Sequence, residues 1–163
     1  MTTKRPILFA TDGSASAAEA QVEAIELARV LDVPLVVVSV AHAALPPVGY
    51  AGYGYADLVA EMTKVERERV ATLLESVAET VEAAGVPCST VATAGVPGAV
   101  VDEICRCASE CNPQMLVVGS HGWGAARRLF SGSVSTGLVH SAPCPVLVVR
   151  PAGQAHHERA AAA

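Results

Sequence analysis

Short apolar runs alternate with longer amphipathic segments along most of this chain. Segments of helical spacing separate the apolar runs, and this alternation is typical of βαβ units built around a parallel sheet. We therefore predict an α/β domain whose strands are covered on both faces. The predicted strands are Ile7–Ala10, Leu35–Val40, Cys88–Thr93, Met115–Val118 and Pro145–Val149.

The first helix is predicted to open at the capping box Ser16-x-x-Glu19 and to run to about Leu31. Apolar residues within it recur at a spacing that places them on one side of a helix. We expect that side to face the sheet. Its members are Ala18, Val22, Ile25 and Ala28.

Three further helices follow from charge patterning and from proline and glycine positions. Charged and apolar residues interleave over Asp57–Ala84, and Val96-Pro97-Gly98 places a proline in a first helical turn. Ser133 to about His140 has the length of a short helix. The less apolar third strand is expected at an edge of the sheet, and the wholly apolar fourth strand at its centre.

Two segments show no regular period. His42 to Ala56 contains Pro46-Pro47 and three tyrosines interleaved with glycine, so we interpret it as a long loop. The tyrosine-rich part, residues 50–55, receives no predicted role. Residues 151–163 are predicted to form a flexible tail after a nucleotide-binding domain spanning residues 1–150.

Composition and charge argue against two classes of binding partner, nucleic acids and membranes. The formal charge is −5, with 11 Lys and Arg in the chain, which argues against nucleic acid as a partner. No apolar run approaches the ~20 residues needed to cross a bilayer, and no cleavable leader precedes the first strand. Five cysteines without framework spacing fit reduced thiols. We expect a cytoplasmic protein that does not engage membranes.

Two glycine-bearing turns follow predicted strands. Thr11-Asp12-Gly13 comes after the first strand, and Gly119-Ser120-His121-Gly122 comes after the fourth. Ligands of open α/β sheets bind beyond the carboxyl ends of the strands, where the strand order reverses. If these strands are neighbours, the two turns flank one crevice.

The second turn is predicted to bind phosphate. Gly119, Gly122 and Gly132 leave backbone N–H groups unshielded by a Cβ, and Ser133 adds a hydroxyl at the start of a helix. The pattern is neither a Walker A sequence nor the dinucleotide fingerprint G-x-G-x-x-G. Arg127-Arg128 lies inside the loop, where it could approach phosphate or simply be solvated.

These spacings carry a family resemblance. Gly119-x2-Gly122-x9-Gly132-Ser133, followed by Ala142-Pro143-Cys144-Pro145 and the last strand, resembles the ATP-binding branch of the universal stress protein family. Thr11-Asp12-Gly13-Ser14 extends the resemblance over nearly the whole chain.

The resemblance implies a single three-layer domain with five parallel strands in the order 3-2-1-4-5 and ATP at the switch point. It implies Mg²⁺ or Mn²⁺ with Asp12 as the metal or ribose contact, and a homodimer through Val146–Val149. The backbone at Ala10 and Val40 would line the adenine pocket. The implied nucleotide-binding residues are Ala10, Thr11, Asp12, Val40, Gly119, His121, Gly122, Gly132, Ser133, Val134 and Ser135.

Several readings stay open. Each glycine could be a turn residue alone, and Asp12 could only cap the first helix. Cys105, Cys107 and Cys111 are spaced around a helix and are interpreted as buried structural thiols. The leading hypothesis is an ATP-binding regulatory protein of the stress response with at most slow ATP hydrolysis, in which Asp12 or His121 could orient water.

Two alternatives belong to other classes. One is a dimeric scaffold or partner-binding protein whose glycine loop is structural. The other is a nucleotide-dependent transferase or electron-transfer relative, which would need an extra domain or a flavin site that the sequence does not indicate.

Overall fold

The computed structural model describes residues 4–42, 54–95, 98–120 and 133–150. Strands and helices alternate through these ranges, as the apolar pattern predicts. The elements are β1 (Ile7–Ala10), α1 (Ala15–Leu31), β2 (Leu35–Ala41), α2 (Tyr55–Ala83), β3 (Cys88–Ala94), α3 (Val100–Cys111), β4 (Met115–Gly119), α4 (Ser133–Ser141) and β5 (Val146–Val149). Among these helices, none is both long and apolar enough to span a bilayer.

The five strands form one parallel sheet in the order β3-β2-β1-β4-β5. Ile7 of β1 is in register with Leu35 of β2 on one side and with Met115 of β4 on the other. The implied α/β architecture and strand order are therefore confirmed. β1 lies at the centre, with the chain winding outward from it in both directions.

Two apolar layers cover the sheet. Phe9 and Val37 lie in the layer beneath α1 and α2, whereas Leu8 and Val38 lie in the layer beneath α3 and α4. Right-handed crossovers require this division, because the winding direction reverses after β3. A reversal of this kind places a crevice at the carboxyl ends of β1 and β4, from which the chain continues to helices on opposite faces of the sheet.

The third strand lies at an edge as predicted, whereas the fourth strand is interior but the centre of the sheet is β1. β3 lies at an edge and has no fully buried residue, whereas four of the five residues of β4 are buried. The boundaries differ slightly from prediction. β2, β3 and β4 each extend one residue further, and β5 begins one residue later, at Val146. α2 begins at Tyr55, inside the segment interpreted as a loop.

The predicted start of α1 is wrong, and its predicted face is right only in part, because Ala28 is buried and Ile25 packs against the core whereas Ala18 and Val22 are exposed. Its N-cap is Ser14, whose side chain accepts from the amide of Ala17, so Ser16 lies inside the first turn and is buried. Val22 is 63% exposed. The buried residues include Ala17, Ala20, Ala24 and Ala28. Alanine on this face lets the helix lie close to the sheet, a role that a hydrophobicity pattern weighted toward valine and isoleucine does not reveal.

The predicted start of α3 is also too early. The helix begins at Val100, and Gly98 before it has a φ of +95°, which a right-handed helix cannot include. Pro97 itself lies outside the described residues.

Candidate functional site

The turn after β1 is closed by its own side chains. The amide of Gly13 donates to Thr11 Oγ1 at 3.2 Å, and the amide of Ser14 donates to Asp12 Oδ1 at 2.9 Å. The second bond is an Asx turn, which leads directly into the Ser14 cap of α1. Since these two amides already have partners within the turn, it is not built to donate them to an anion.

Asp12 forms the Asx turn that precedes the cap, but the N-cap of α1 is Ser14, so the reading of Asp12 as the helix cap is wrong. The Asp12 side chain lies half-buried at the carboxyl end of β1. A carboxylate accepts at both of its oxygens, so the Asx turn is compatible with a further contact to a cation or a ribose hydroxyl. Within the described ranges, no three His, Cys, Asp or Glu side chains gather into a metal site.

The end of β4 lies beside this turn, since Ala10 and Val118 are in register on neighbouring strands. A Cβ at Gly119 would lie 2.5 Å from Ser16 Oγ and 2.8 Å from the carbonyl carbon and oxygen of Ser16. The space next to Gly119 is thus filled by the first turn of α1. Gly119 is needed here for close packing, which the sequence analysis did not separate from phosphate binding.

The start of α4 is hydrogen-bonded to the end of β4. Ser135 is buried, and its hydroxyl donates to the carbonyl of Ser120 at 3.3 Å. The amide of Ser120 in turn donates to the carbonyl of Val149 at 2.8 Å. Ser133, the first residue of α4, is exposed. The positive end of the α4 dipole therefore lies near the crevice, where it favours an anion.

Three predicted contacts have side chains that belong to the core. Ala10 is 4% exposed and Val40 is 7% exposed, and Val134 packs against the same cluster below α3 and α4. Their side chains cannot reach a ligand in the crevice, so any contact from these positions comes from the main chain. The predicted backbone role of Ala10 and Val40 stays a prediction.

An ion pair on α2 borders the crevice, and sequence analysis did not find it. Arg69 Nε and Nη2 donate to the two oxygens of Glu66 at 2.8 and 2.9 Å, and Arg69 Nη1 lies 3.4 Å from the carbonyl oxygen of Asp12. We call Glu66 and Arg69 the rim pair. Arg69 follows Asp12 by 57 residues, so the only sequence signal was the Glu-x-x-Arg spacing, which favours an ion pair on any helix.

Electrostatics tie the rim pair to β2 as well. The pKa of Glu66 is lowered, chiefly by the hydrogen bonds from Arg69 and also by the backbone N–H of His42, the residue that follows β2. The pKa of Arg69 is raised, first by Glu66 and in smaller part by the charge of Asp12. The rim pair therefore borders both strand ends from which Asp12 and Val40 come.

The structure thus places Thr11 and Asp12 after β1, Gly119 at the end of the neighbouring strand β4, and Ser133 and Ser135 in the first turn of α4, which is hydrogen-bonded to the end of β4. His121, Gly122 and Gly132 lie outside the described residues, as do Arg127 and Arg128. Their predicted phosphate contacts stay predictions.

The thiols of α3 lie away from this edge. Cys107 is buried, and Cys105 and Cys111 are half-buried against the layer below α3 and α4. Burial is the main cause that raises the pKa of each of these thiols. A raised pKa lowers the thiolate fraction at neutral pH, which suits a packing role.

A family model described as the universal stress protein family matches residues 4–150. The chain belongs to the universal stress protein family. A putative universal stress protein of Staphylococcus haemolyticus is 34% identical over 151 residues, covering 92% of this chain and 87% of that protein. The universal stress protein fold is also found in a solved structure from Lactobacillus plantarum, with a TM-score of 0.76 at 22% identity over 89% of this chain and 97% of the other.

Some solved universal stress proteins of this fold contain nucleotides. A family member from Arabidopsis thaliana with AMP bound is 23% identical, with a TM-score of 0.63 over 93% of this chain and 94% of that one. A universal stress protein from Archaeoglobus fulgidus is in complex with dAMP, at 22% identity and a TM-score of 0.58 over 90% and 98% of the two chains.

Proposed function

We propose that this universal stress protein binds ATP at the switch point between β1 and β4 and acts as a nucleotide-dependent regulator in the stress response. The observation that carries the proposal is that neighbouring strands end in an acidic turn and near a helix N-terminus: Thr11–Ser14 follows β1, and the start of α4 is hydrogen-bonded through Ser135 to the end of β4. A carboxylate can bind the metal that accompanies a nucleotide phosphate chain, and a helix N-terminus can bind the phosphates themselves.

Each side of the crevice would contact a different part of the ligand. The amides and hydroxyl at the start of α4, together with the glycine loop at 119–132, would bind the phosphates. Asp12 would contact the ribose or the Mg²⁺ or Mn²⁺ that accompanies them, and the main chain at Ala10 and Val40 would border the adenine. The metal would neutralise phosphate charge beside Asp12. Hydrolysis would be at most slow.

Relatives support an adenine nucleotide as the ligand class. AMP and dAMP are named in the solved structures described above, and cAMP is named in another universal stress protein with the same fold. ATP is our choice because the glycine spacing Gly119-x2-Gly122-x9-Gly132-Ser133 provides a loop long enough to surround a phosphate chain.

The decisive experiment introduces a negative charge at each end of α4. Ser133→Asp should weaken ATP binding by about tenfold or more in calorimetry, because a carboxylate would face the phosphates. Ser141→Asp, at the far and equally exposed end of the helix, is the matched control and should leave the Kd unchanged. An acidic residue at a helix N-terminus favours helix stability, so lost binding could not be attributed to unfolding. Equal affinities for both variants would end the proposal.

The metal contact is tested separately by Asp12→Asn. The amide oxygen of asparagine can still accept from Ser14 N–H, so the turn and the cap of α1 are retained while the charge is lost. We expect ATP affinity to lose its dependence on Mg²⁺ or Mn²⁺, with little change in melting temperature. An unchanged metal dependence would remove Asp12 from the cation site.

We further propose a homodimer through β5. This strand lies at a sheet edge, and all four of its residues are half-buried in the single chain. The carbonyls of Pro145 and Val149 accept from β4, so by the alternation of a parallel ladder the amides of Val146 and Val148 point outward. Such an edge without charged residues favours pairing with a second copy.

Val148→Pro would test the dimer. Proline removes an outward amide and leaves the bonds to β4 intact, so sedimentation should show a monomer that still melts cooperatively. Leu147→Ala trims a side chain packed on the sheet face without altering the edge amides, and it should stay dimeric. Dimers in both variants would place the interface elsewhere.

One observation favours the scaffold alternative. Gly119 is required by its contact with Ser16, so at least one loop glycine has a structural role. A native mass spectrum of the gently purified protein separates the two functions. A co-purified adenine nucleotide supports the binding protein, whereas an empty dimer that also fails to bind added ATP supports the scaffold.

A further inference from the structure

The peptide group between Asp12 and Gly13 is held at both ends. Its N–H donates to Thr11 Oγ1 at 3.2 Å, and its carbonyl lies 3.4 Å from Arg69 Nη1. Gly13 follows with a φ of +79°, a conformation that glycine can enter or leave at little cost. Without an outside partner on the carbonyl, this peptide could rotate and redirect the Asp12 side chain.

Glu66 determines where the Arg69 guanidinium lies. Two parallel hydrogen bonds from Arg69 to Glu66 fix the plane of the guanidinium, which leaves Nη1 directed at Asp12. The Glu66 side chain is 19% exposed and also receives the backbone N–H of His42. The first fully buried residue of α2 is Val70. The rim pair comes just before it and therefore lies near the carboxyl ends of the strands.

We propose that Arg69 is a positioning residue for Asp12, fixing the Asp12–Gly13 peptide and thereby the direction of the carboxylate in the nucleotide site. The rim pair connects the ends of β1 and β2 through α2, so the acidic turn and the proposed adenine border keep a constant spacing before ligand arrives. The expected effect of Arg69 on ATP affinity rests on the proposed nucleotide site. Its expected effect on the turn can be measured in the free protein, whether or not ATP binds.

A second ion pair on the molecule provides a matched control. Arg106 pairs with Glu103 at the same i,i+3 spacing on α3, and it reaches Thr93 of the edge strand instead of the crevice. Arg106 also pairs with Glu110 at 2.7 Å, so Arg106→Met removes an ion-pair network at least as large as the rim pair, on a different helix from Arg69. Arg69→Met should weaken ATP binding roughly fivefold to tenfold, in line with the loss of one ordinary intramolecular hydrogen bond, and Arg106→Met should not.

Amide hydrogen exchange at Gly13, measured by NMR in the absence of nucleotide, reports the turn itself. We expect Arg69→Met to speed exchange at Gly13 severalfold while leaving the amides of β1 unchanged. Arg106→Met should leave Gly13 unchanged. Unaltered exchange at Gly13 in Arg69→Met would overturn the proposal.

Exchanging the two residues separates positioning from simple stability. In Glu66→Arg/Arg69→Glu the ion pair can re-form, but a carboxylate at position 69 cannot donate to the Asp12 carbonyl. We expect the melting temperature to return toward wild type while ATP affinity and Gly13 exchange stay impaired. Recovery of all three quantities would show a purely structural pair and refute the inference. If wild-type protein binds no ATP, the proposed function fails, and the exchange measurements alone still decide the role of Arg69.

Discussion

The two strand ends that flank the crevice both contain a glycine, and they need it for different physical reasons. Gly13 has a φ of +79°, so the turn after β1 requires its backbone freedom. Gly119 shows no such torsion, but a Cβ there would meet the backbone of Ser16 at 2.8 Å. One glycine permits a conformation and the other permits contact between two elements. Equivalent residues at equivalent strand ends therefore do not imply equivalent roles.

The largest effect should come from Gly119→Ala. The added methyl group would collide with main-chain atoms of α1, which cannot rotate away as a side chain can. We expect a loss of about 3 kcal/mol in the free energy of unfolding, measured by urea denaturation, at the upper end for an overpacked site. A loss below about 1 kcal/mol would mean that α1 can move outward at little cost, and the packing role would be wrong.

Gly13→Ala should have a smaller effect. A Cβ at Gly13 would lie 3.2 Å from the end of the Leu73 side chain, which can adjust, so the torsion is the main cost. We expect about 1 to 2 kcal/mol of destabilisation in the same assay. Gly85→Ala is the matched control, since Gly85 has a φ of +78° with nothing near its Cβ position. The difference between these two variants measures the Leu73 contact alone.

Two buried serine hydroxyls, one beside the end of β4 and one on β2, also differ in their hydrogen bonding. Ser135 donates to Ser120 on the β4 side, whereas Ser39, 2% exposed near the end of β2, has no hydrogen-bond partner among the described residues. Ser135→Ala should cost about 1 kcal/mol, because it leaves a buried carbonyl with one partner fewer. Ser39→Ala should leave stability unchanged or raise it slightly, since it removes an unsatisfied group. Denaturation of both variants checks this, and an equal loss in each would mean that Ser39 has a partner.

This contrast also explains what the sequence could predict. The apolar runs located every strand because period and length are local properties, and the glycine spacing led to the family and thus to the strand order. The face of α1 was only partly found, because most of its core residues are alanines, which rank low in apolar contrast beside Val22. Arg69 was missed because its partner lies 57 residues away, and only the fold brings them together.

The smallest expected effect is that of Glu66→Gln, which tests whether the turn after β1 depends on a charge that lies outside the turn. The pKa of Glu66 is lowered in the folded protein from an ordinary 4.5, chiefly by Arg69, so its contribution to stability is present above that value and is lost as the pH falls through the folded pKa. We expect Glu66→Gln to be less stable than wild type at pH 7 by well under 1 kcal/mol, because Arg69 is 42% exposed and water screens the pair.

That difference should shrink below about pH 4.5 as Glu66 becomes protonated in both the unfolded and folded chains. Glu68→Gln, on the exposed side of the same helix, is the control and should follow wild type at every pH. Thermal melts between pH 3 and pH 8 measure the difference. If Glu66→Gln keeps a constant offset across this range, its effect comes from the side-chain shape, and the β1 turn is held without help from the rim pair's charge.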